Sequence, residues 1–331
     1  MVDLPLLSAL FAAFALSLYV LLDGFDLGVG TLLLAQHDEE LRDRMVDSIT
    51  PTWDGNETWL IMAGVALLAA FPIAYGILLP AFYLPLIAML LALGLRGVSF
   101  EFRYQVVKGR RAWDVLFSVG SIVAALMQGC IVGGLIQGVA VDGERFSGSV
   151  LEVFRPFSLL VAVSVMMGYM VLGAGWLHLK ATRDLRRFAE RSLRRTTPLF
   201  VALAVATCAA AVLVQPAVAD AWTSHPVVLA IIGLLFLCVA AVLMLAIGGP
   251  SALRPFLLGL VLFVLGVAGL SITIFPDIVP FRLTLWQAAS ASLSHVFLLI
   301  GAAIVTPVVL AYSAFAYRVF RGKTPEKGWE T

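Results

Sequence analysis

Four acidic residues lie within or at the edge of long apolar stretches. Asp23 and Asp26 fall in Tyr19-Val-Leu-Leu-Asp-Gly-Phe-Asp-Leu27, and Asp54 and Glu57 fall in Trp53-Asp-Gly-Asn-Glu-Thr-Trp59. Each pair is spaced i, i+3, so on a helix both members share a face. An ionisable group near the centre of a membrane helix costs at least ~2.5–3.5 kcal/mol on insertion scales, so such groups point by default to function. The chemistry open to a crowd of desolvated carboxyls is the binding and release of protons. Arg96, with Glu101 and Arg103 behind it, is the obvious cation for them.

Blander readings stand beside this one. Asp54-Gly-Asn-Glu57 also fits an N-terminal capping pair, with Asp54 accepting from the first backbone N–H groups. Asp23 and Asp26 also fit a structural hydrogen-bonding pair between helices, and Trp53 and Trp59 fit a membrane-interface belt.

The elements that must position these groups follow from composition. Of 331 residues, 61% are hydrophobic and 13% are charged. A soluble domain carries about 25% charged residues, so this chain cannot dress its own surface for water. Thr196–Ala219, Leu283–Tyr317 and Val115–Val141 contain no Asp, Glu, Lys or Arg. At roughly 20 apolar residues per crossing, nine spans are expected, near 6–34, 53–78, 80–100, 113–139, 155–180, 197–219, 226–247, 254–276 and 288–317. Pro80 marks the expected turn between the second and third. The N-terminal stretch lacks a basic leader region and is expected to be a retained first span.

Charge placement tests that count. With the N-terminus outside, 19 of the 22 Lys and Arg fall in cytoplasmic segments, and only Arg145, Arg155 and Arg282 remain outside. The expected topology is therefore N-out and C-in. The net charge of +1 excludes an ordinary basic nucleic-acid binder. Cys130, Cys208 and Cys238 form no metal- or redox-type spacing and read as small apolar residues.

Tyr19–Leu27 matches Tyr169-Met-Val-Leu-Gly-Ala-Gly-Trp-Leu177, and each match is followed by a basic loop and then Thr50-Pro51 or Thr197-Pro198. The expected architecture is a single all-α polytopic membrane domain of two pseudo-repeated four-helix units, about 1–150 and about 151–280. A peripheral ninth helix at 288–317 and a cytoplasmic tail at 318–331 complete it. The repeats differ where chemistry is at stake: Gly173 and Trp176 replace Asp23 and Asp26. Measured from Leu4, Asp23 lies roughly 28 Å along a helix rising 1.5 Å per residue, near the cytoplasmic face where span 2 begins. The two acidic pairs are thus expected to meet at one depth beside Arg96. Gly24, Gly28, Gly30 and Gly55 would allow close backbone approach there.

Of the four histidines, His37 and His178 fall at the inner edge, His225 in an external loop, and His295 within a span. No facing pair suits a haem, with His37 and His178 the nearest approach to one, and no P-loop, nucleophile elbow or metal-spaced cluster appears. No cofactor is expected on this chain.

Leu22-Asp-Gly-Phe-Asp-Leu-Gly-Val-Gly30, Trp53–Trp59 and Leu95-Arg-Gly-Val-Ser-Phe-Glu-Phe-Arg103 resemble subunit II of the cytochrome bd-type quinol oxidases. Ile274-Phe-Pro276 and Leu283-Thr-Leu-Trp286 fit the same family, and the compact length is compatible with its cyanide-insensitive branch. The resemblance implies a bacterial cytoplasmic (inner) membrane and a haem-free partner of subunit I, which carries b-type and d-type haems, or only b-type. The family enzyme oxidises ubiquinol or menaquinol and reduces dioxygen to water, electrogenically and without pumping. Carried over residue by residue, Asp54 belongs to a proton route, with Asp26 in support, and Trp59 lies near an oxygen access channel. Asp23 and Glu57 join the expected route by their position, and Arg96 as charge partner. Small single-helix accessory subunits and lipid are further implied partners. Three departures stand out: short loops after spans 6 and 7, Glu57 where some relatives have Gln, and His295 without a counterpart. The alternative reading is a proton-coupled secondary transporter built from parallel repeats, and a third is a purely structural scaffold.

Overall fold

The computed structural model describes residues 2–106 and 109–324. Twelve α-helices among them confirm an all-α polytopic membrane protein. They are α1 (Leu4–Leu33), α2 (Glu39–Asp47), α3 (Trp53–Ala70), α4 (Pro72–Ala81), α5 (Tyr83–Gln105) and α6 (Arg110–Gln137), followed by α7 (Pro156–Lys180), α8 (Arg183–Val214), α9 (Pro216–Ser224), α10 (Pro226–Ala246), α11 (Arg254–Ile274) and α12 (Ser292–Val319). Eight of these are long and apolar enough to cross a membrane.

The helix α3 is not among the eight, because its first turn carries the polar motif. At 18 residues it is ~27 Å long by helical rise. The expected second span, 53–78, is in fact broken at Phe71. Its backbone leaves the helical region, and Pro72 opens α4, where the missing N–H costs nothing. The turn into the third span falls at Phe82, and Pro80 lies inside α4.

Two further boundaries differ from expectation. Thr197-Pro198 does not open a helix: α8 begins at Arg183, and its 32 residues measure ~48 Å at 1.5 Å each, with Pro198 in its interior. The loop after α1 contains α2, capped by Asp38, whose carboxylate accepts from the Leu41 N–H at 3.2 Å. Glu39 and Glu40 in its first turn and Arg44 in its last suit the helix dipole. Short hairpins, β1 (Val141–Asp142) with β2 (Arg145–Phe146) and β3 (Asp277–Val279) with β4 (Leu283–Thr284), close the opposite end of the molecule. The tail expected over 318–331 is described only to Thr324, and 325–331 lie outside the described residues.

The core forms where α1 crosses α7. A Cβ on Gly28 would fall on the Tyr169 carbonyl, and one on Gly173 would fall on the backbone of Gly28. Only glycine permits that approach, and in lipid such packing of small residues is what holds helices together. Beside the crossing, Phe25 stacks on Trp176 with centroids 4.4 Å apart, and Phe256 packs edge-on to both. Tyr19 and Tyr169, equivalent in the two matched segments, converge on one buried side chain of α6. Gln128 donates to the Tyr19 oxygen at 2.7 Å and accepts from the Tyr169 hydroxyl at 2.6 Å.

Candidate functional site

Three helices bring the intramembrane charges together. From α1, Asp23 and Asp26 point inward and are fully buried; from α5, Arg96 is likewise fully buried; from α3 comes Glu57. The Arg96 Nη1 lies 2.7 Å from Asp23 Oδ1 and 3.2 Å from Glu57 Oε1, while Nη2 lies 3.9 Å from Asp26 Oδ2. One guanidinium therefore serves three carboxyl groups. Fully ionised, the cluster would hold two uncompensated negative charges out of water, an arrangement that costs several kcal/mol per ion. Trp53 covers the cation, its ring centroid 6.0 Å from the Arg96 guanidinium carbon, and Phe100 packs against Trp53 at 5.1 Å.

The cluster is graded in exposure. Asp23 and Asp26 have no accessible surface, the Glu57 side chain is 26% exposed, and Asp54 is exposed on the molecular surface. Two expectations change here. Asp54 does not join the Arg96 cluster, although it sits one turn from Glu57 on the same helix. Nor do Asp54 and Glu57 form a capping pair: α3 starts from Thr52 with no side-chain cap, and Asp54 lies inside the first turn. Gly55 is not required for close approach, since a Cβ there would meet only Tyr312 at 3.8 Å.

Asn56 completes the first turn of α3. Its Nδ2 donates to Asp26 Oδ2 at 2.8 Å and to the Leu22 carbonyl at 3.4 Å, and its Oδ1 accepts from the Tyr317 hydroxyl of α12 at 3.0 Å. Asn56 was legible in the Trp53–Trp59 motif but its role was not, and Tyr317 carried no signal at all. Trp59 is buried against Phe14, with centroids 5.9 Å apart and rings nearly perpendicular, and shares a small cluster with Ala15 and Tyr19.

A second charge network lies about two turns further along α5. Asp114 of α6 accepts from Arg42 Nε at 2.8 Å and Arg103 Nε at 2.6 Å, and Arg103 also reaches Asp43 at 2.5 Å. The Tyr104 hydroxyl donates to Asp47 at 2.7 Å. These bonds pin α2 over the end of the bundle that carries the Arg96 cluster. Sequence reading placed Arg103 behind Arg96 and left Arg42 in a basic loop, and it gave no role to Asp43, Asp47 or Asp114.

Two of the four histidines, His178 and His295, are buried in structural contacts, while His37 and His225 are exposed. His295 is buried, with Nδ1 2.8 Å from the Ser8 hydroxyl. His178 contacts the Ala252 carbonyl at 3.0 Å and lies 3.4 Å from Glu190. No group of three or more His, Cys, Asp or Glu side chains suited to a metal occurs among the described residues.

Comparison with known proteins adds an independent line. The family model described as cytochrome bd terminal oxidase subunit II matches residues 4–320. The probable cytochrome oxidase subunit 2 of Haemophilus influenzae is 39% identical over 172 residues, covering 50% of this chain and 46% of that protein. Cytochrome bd-I ubiquinol oxidase subunit 2 of Escherichia coli K12 is 36% identical over 176 residues, with the same coverage. The alignments thus span about half the length of these relatives. Cytochrome bd ubiquinol oxidase subunit 2 of Bacillus subtilis is 29% identical over 320 residues, 93% of each chain. Among solved structures, the bd oxidase from Geobacillus thermodenitrificans aligns with a TM-score of 0.78 at 15% identity, covering 96% of this chain and 99% of that one. That likeness is one of fold.

Proposed function

The chain belongs to the cytochrome bd terminal oxidase subunit II family, and from that premise we propose that it is the haem-free subunit of a quinol:oxygen oxidoreductase in aerobic respiration. It stabilises a haem-bearing subunit I and supplies a proton path from the cytoplasmic side toward the oxygen-reducing site. Ubiquinol or menaquinol is the reductant, and the b-type and d-type haems, or b-type alone, reside in subunit I. Lipid and small single-helix subunits are the further partners.

The observation that carries this reading is the graded carboxyl series around one guanidinium. Asp54 is the mouth, exposed at the start of α3. Glu57 is the half-open step, and Asp23 and Asp26 with Arg96 form the buried end. Three carboxyls on one cation make a site where a bound proton offsets charge that the protein cannot otherwise neutralise, which suits proton storage and relay. Trp59 of α3, buried against α1, is proposed to border an oxygen path.

In this reading α3 and α4 together make one crossing. The chain then spans nine times with its N-terminus outside, and the Arg96 cluster and α2 lie on the cytoplasmic side. The two matched segments are the cores of a pseudo-repeat.

The deciding experiment is affinity purification of the native complex through this chain, followed by a visible spectrum and an oxygen-consumption assay with a soluble quinol. A haem-bearing partner and quinol-dependent oxygen uptake are expected. A colourless protein that moves protons with a solute would overturn the proposal in favour of a carrier.

A further inference from the structure

We propose that Tyr317, on the last helix, is a positioning residue for the Asp26 carboxyl, acting through the Asn56 amide. The inference rests on the proton-carrying reading given above and extends it to α12, an element with no acidic residue.

The argument begins with the amide. A primary amide has one acceptor end and one donor end, and its neighbours decide which way it faces. The Asn56 group meets three partners: Asp26 Oδ2, the Leu22 carbonyl and the Tyr317 hydroxyl. Two of these are oxygens that accept, so the NH2 end must face them. The opposite orientation would place Oδ1 against a carboxylate and a carbonyl at once. Tyr317 fixes the arrangement from the other side, because its hydroxyl donates to Oδ1. Without that donor the acceptor end of the amide is left unpaired, only the Asp26 and Leu22 oxygens still orient the group, and the bond that aims the carboxyl is loosened.

Tyr317 is itself held by a latch at the end of α12. Its ring meets Trp176 edge-on with centroids 6.1 Å apart, and the Trp176 indole N–H donates to the Ser48 carbonyl at 3.2 Å. The Lys180 Nζ sits 4.9 Å from the Trp176 ring centroid and donates to the Phe320 carbonyl at 2.6 Å. Lys323 returns a bond to the Leu179 carbonyl at 2.6 Å, and the Thr324 N–H donates to the Lys180 carbonyl at 3.0 Å. The end of α7 and the segment after α12 thus clasp each other within reach of the ring that steers Asn56. Lys180 and Lys323 are charges that the proton path does not use, and this clasp gives them a place.

The test uses the intact purified complex and Tyr317→Phe, which keeps the ring on Trp176 and removes only the hydroxyl. Turnover should fall about fivefold, the worth of one neutral hydrogen bond, while KM for a soluble quinol and haem content stay as in the parent. In an Asn56→Leu background the same substitution should add no further loss. An undiminished turnover, or an equal loss in the Asn56→Leu background, would overturn the inference. If Asn56→Leu fails to assemble, the infrared band of the Asp26 carboxyl, assigned by its disappearance in Asp26→Asn, decides instead. It should shift in Tyr317→Phe, and an unmoved band rejects the assignment. Asp26→Asn also separates the two layers of argument. If it leaves turnover intact, the proton-carrying reading fails. If it slows turnover and Tyr317→Phe does not, only the role of Tyr317 fails.

Discussion

Arg96 and Asp23 face each other at 2.7 Å with both side chains wholly out of solvent. Removing one member of such a pair leaves an uncompensated buried charge, which costs about 3–5 kcal/mol. In this site the loss is larger in kind, because Arg96 also serves Glu57 and Asp26. Arg96→Leu should therefore sharply reduce the yield of assembled complex. Arg96→Lys keeps the charge but loses the fork that reaches several carboxyls; it should assemble with a lower thermal midpoint. Thermal unfolding of the two purified variants checks this, and equal midpoints for Arg96→Lys and the parent would contradict the shared-cation picture.

Asp54 is exposed and makes no contact with Arg96, so Asp54→Asn should leave assembly, thermal midpoint and haem content unchanged. If Asp54 is the mouth of the proton path, turnover nevertheless falls about tenfold, less than the ~10²–10⁴ of a group that transfers the proton in the chemical step itself. Glu57→Gln should lower turnover as well, with a small change in stability because its side chain is a quarter exposed. Oxygen uptake by the paired variants is the measurement. Parent-like rates in Asp54→Asn would remove it from the path.

How much of this site was legible in the sequence depends on distance along the chain. Asp23, Asp26, Glu57 and Arg96 share an obvious property, charge inside an apolar run, and helix spacing brought three short motifs to one depth. The failure over Asp54 has a simple geometric cause. Sharing a helix face with Glu57 fixes direction only to within tens of degrees, and one turn at the end of α3 is enough to move a short Asp side chain from the interior to the surface. Tyr317 was illegible for another reason: it is 261 residues from Asn56, and an aromatic residue near the end of an apolar helix usually reads as an interface anchor. Helix ends were misjudged where apolarity and helicity part company. The basic turns of α8 continue the helix before Pro198, and Phe71 breaks one where the apolar run continues.

The crossing of α1 and α7 yields a prediction about glycine. Gly28→Val would drive a branched side chain into the Tyr169 carbonyl, and neither backbone has room to yield. No assembled complex is expected. Gly55→Ala is the contrast, because its added methyl meets nothing closer than 3.8 Å and alanine favours a helix by about 1 kcal/mol over glycine. It should match or slightly exceed the parent in yield. Membrane-fraction immunoblots of tagged variants separate the two, and a parent-like yield of Gly28→Val would refute the contact map at this crossing.

Asp114 offers the sharpest test of the network that pins α2. Its carboxylate is 1% exposed and accepts from two guanidiniums, Arg42 at 2.8 Å and Arg103 at 2.6 Å. Asp114→Asn would leave Arg42, 7% exposed, without its counter-charge and Arg103, 3% exposed, with Asp43 alone. The cost is about 3–5 kcal/mol for breaking a buried pair. That energy is local, because Arg42 holds α2 to α6 while α1, α3 and α7 pack independently of it. The variant should therefore keep its spans and lose order in the segment around α2, seen as faster proteolytic cleavage between residues 34 and 52. Arg110→Ala removes a half-exposed pair with Asp43 at 3.5 Å, worth no more than ~1 kcal/mol, and should leave cleavage at the parent rate. Were both variants cleaved alike, α2 would be held by something other than the buried carboxylate.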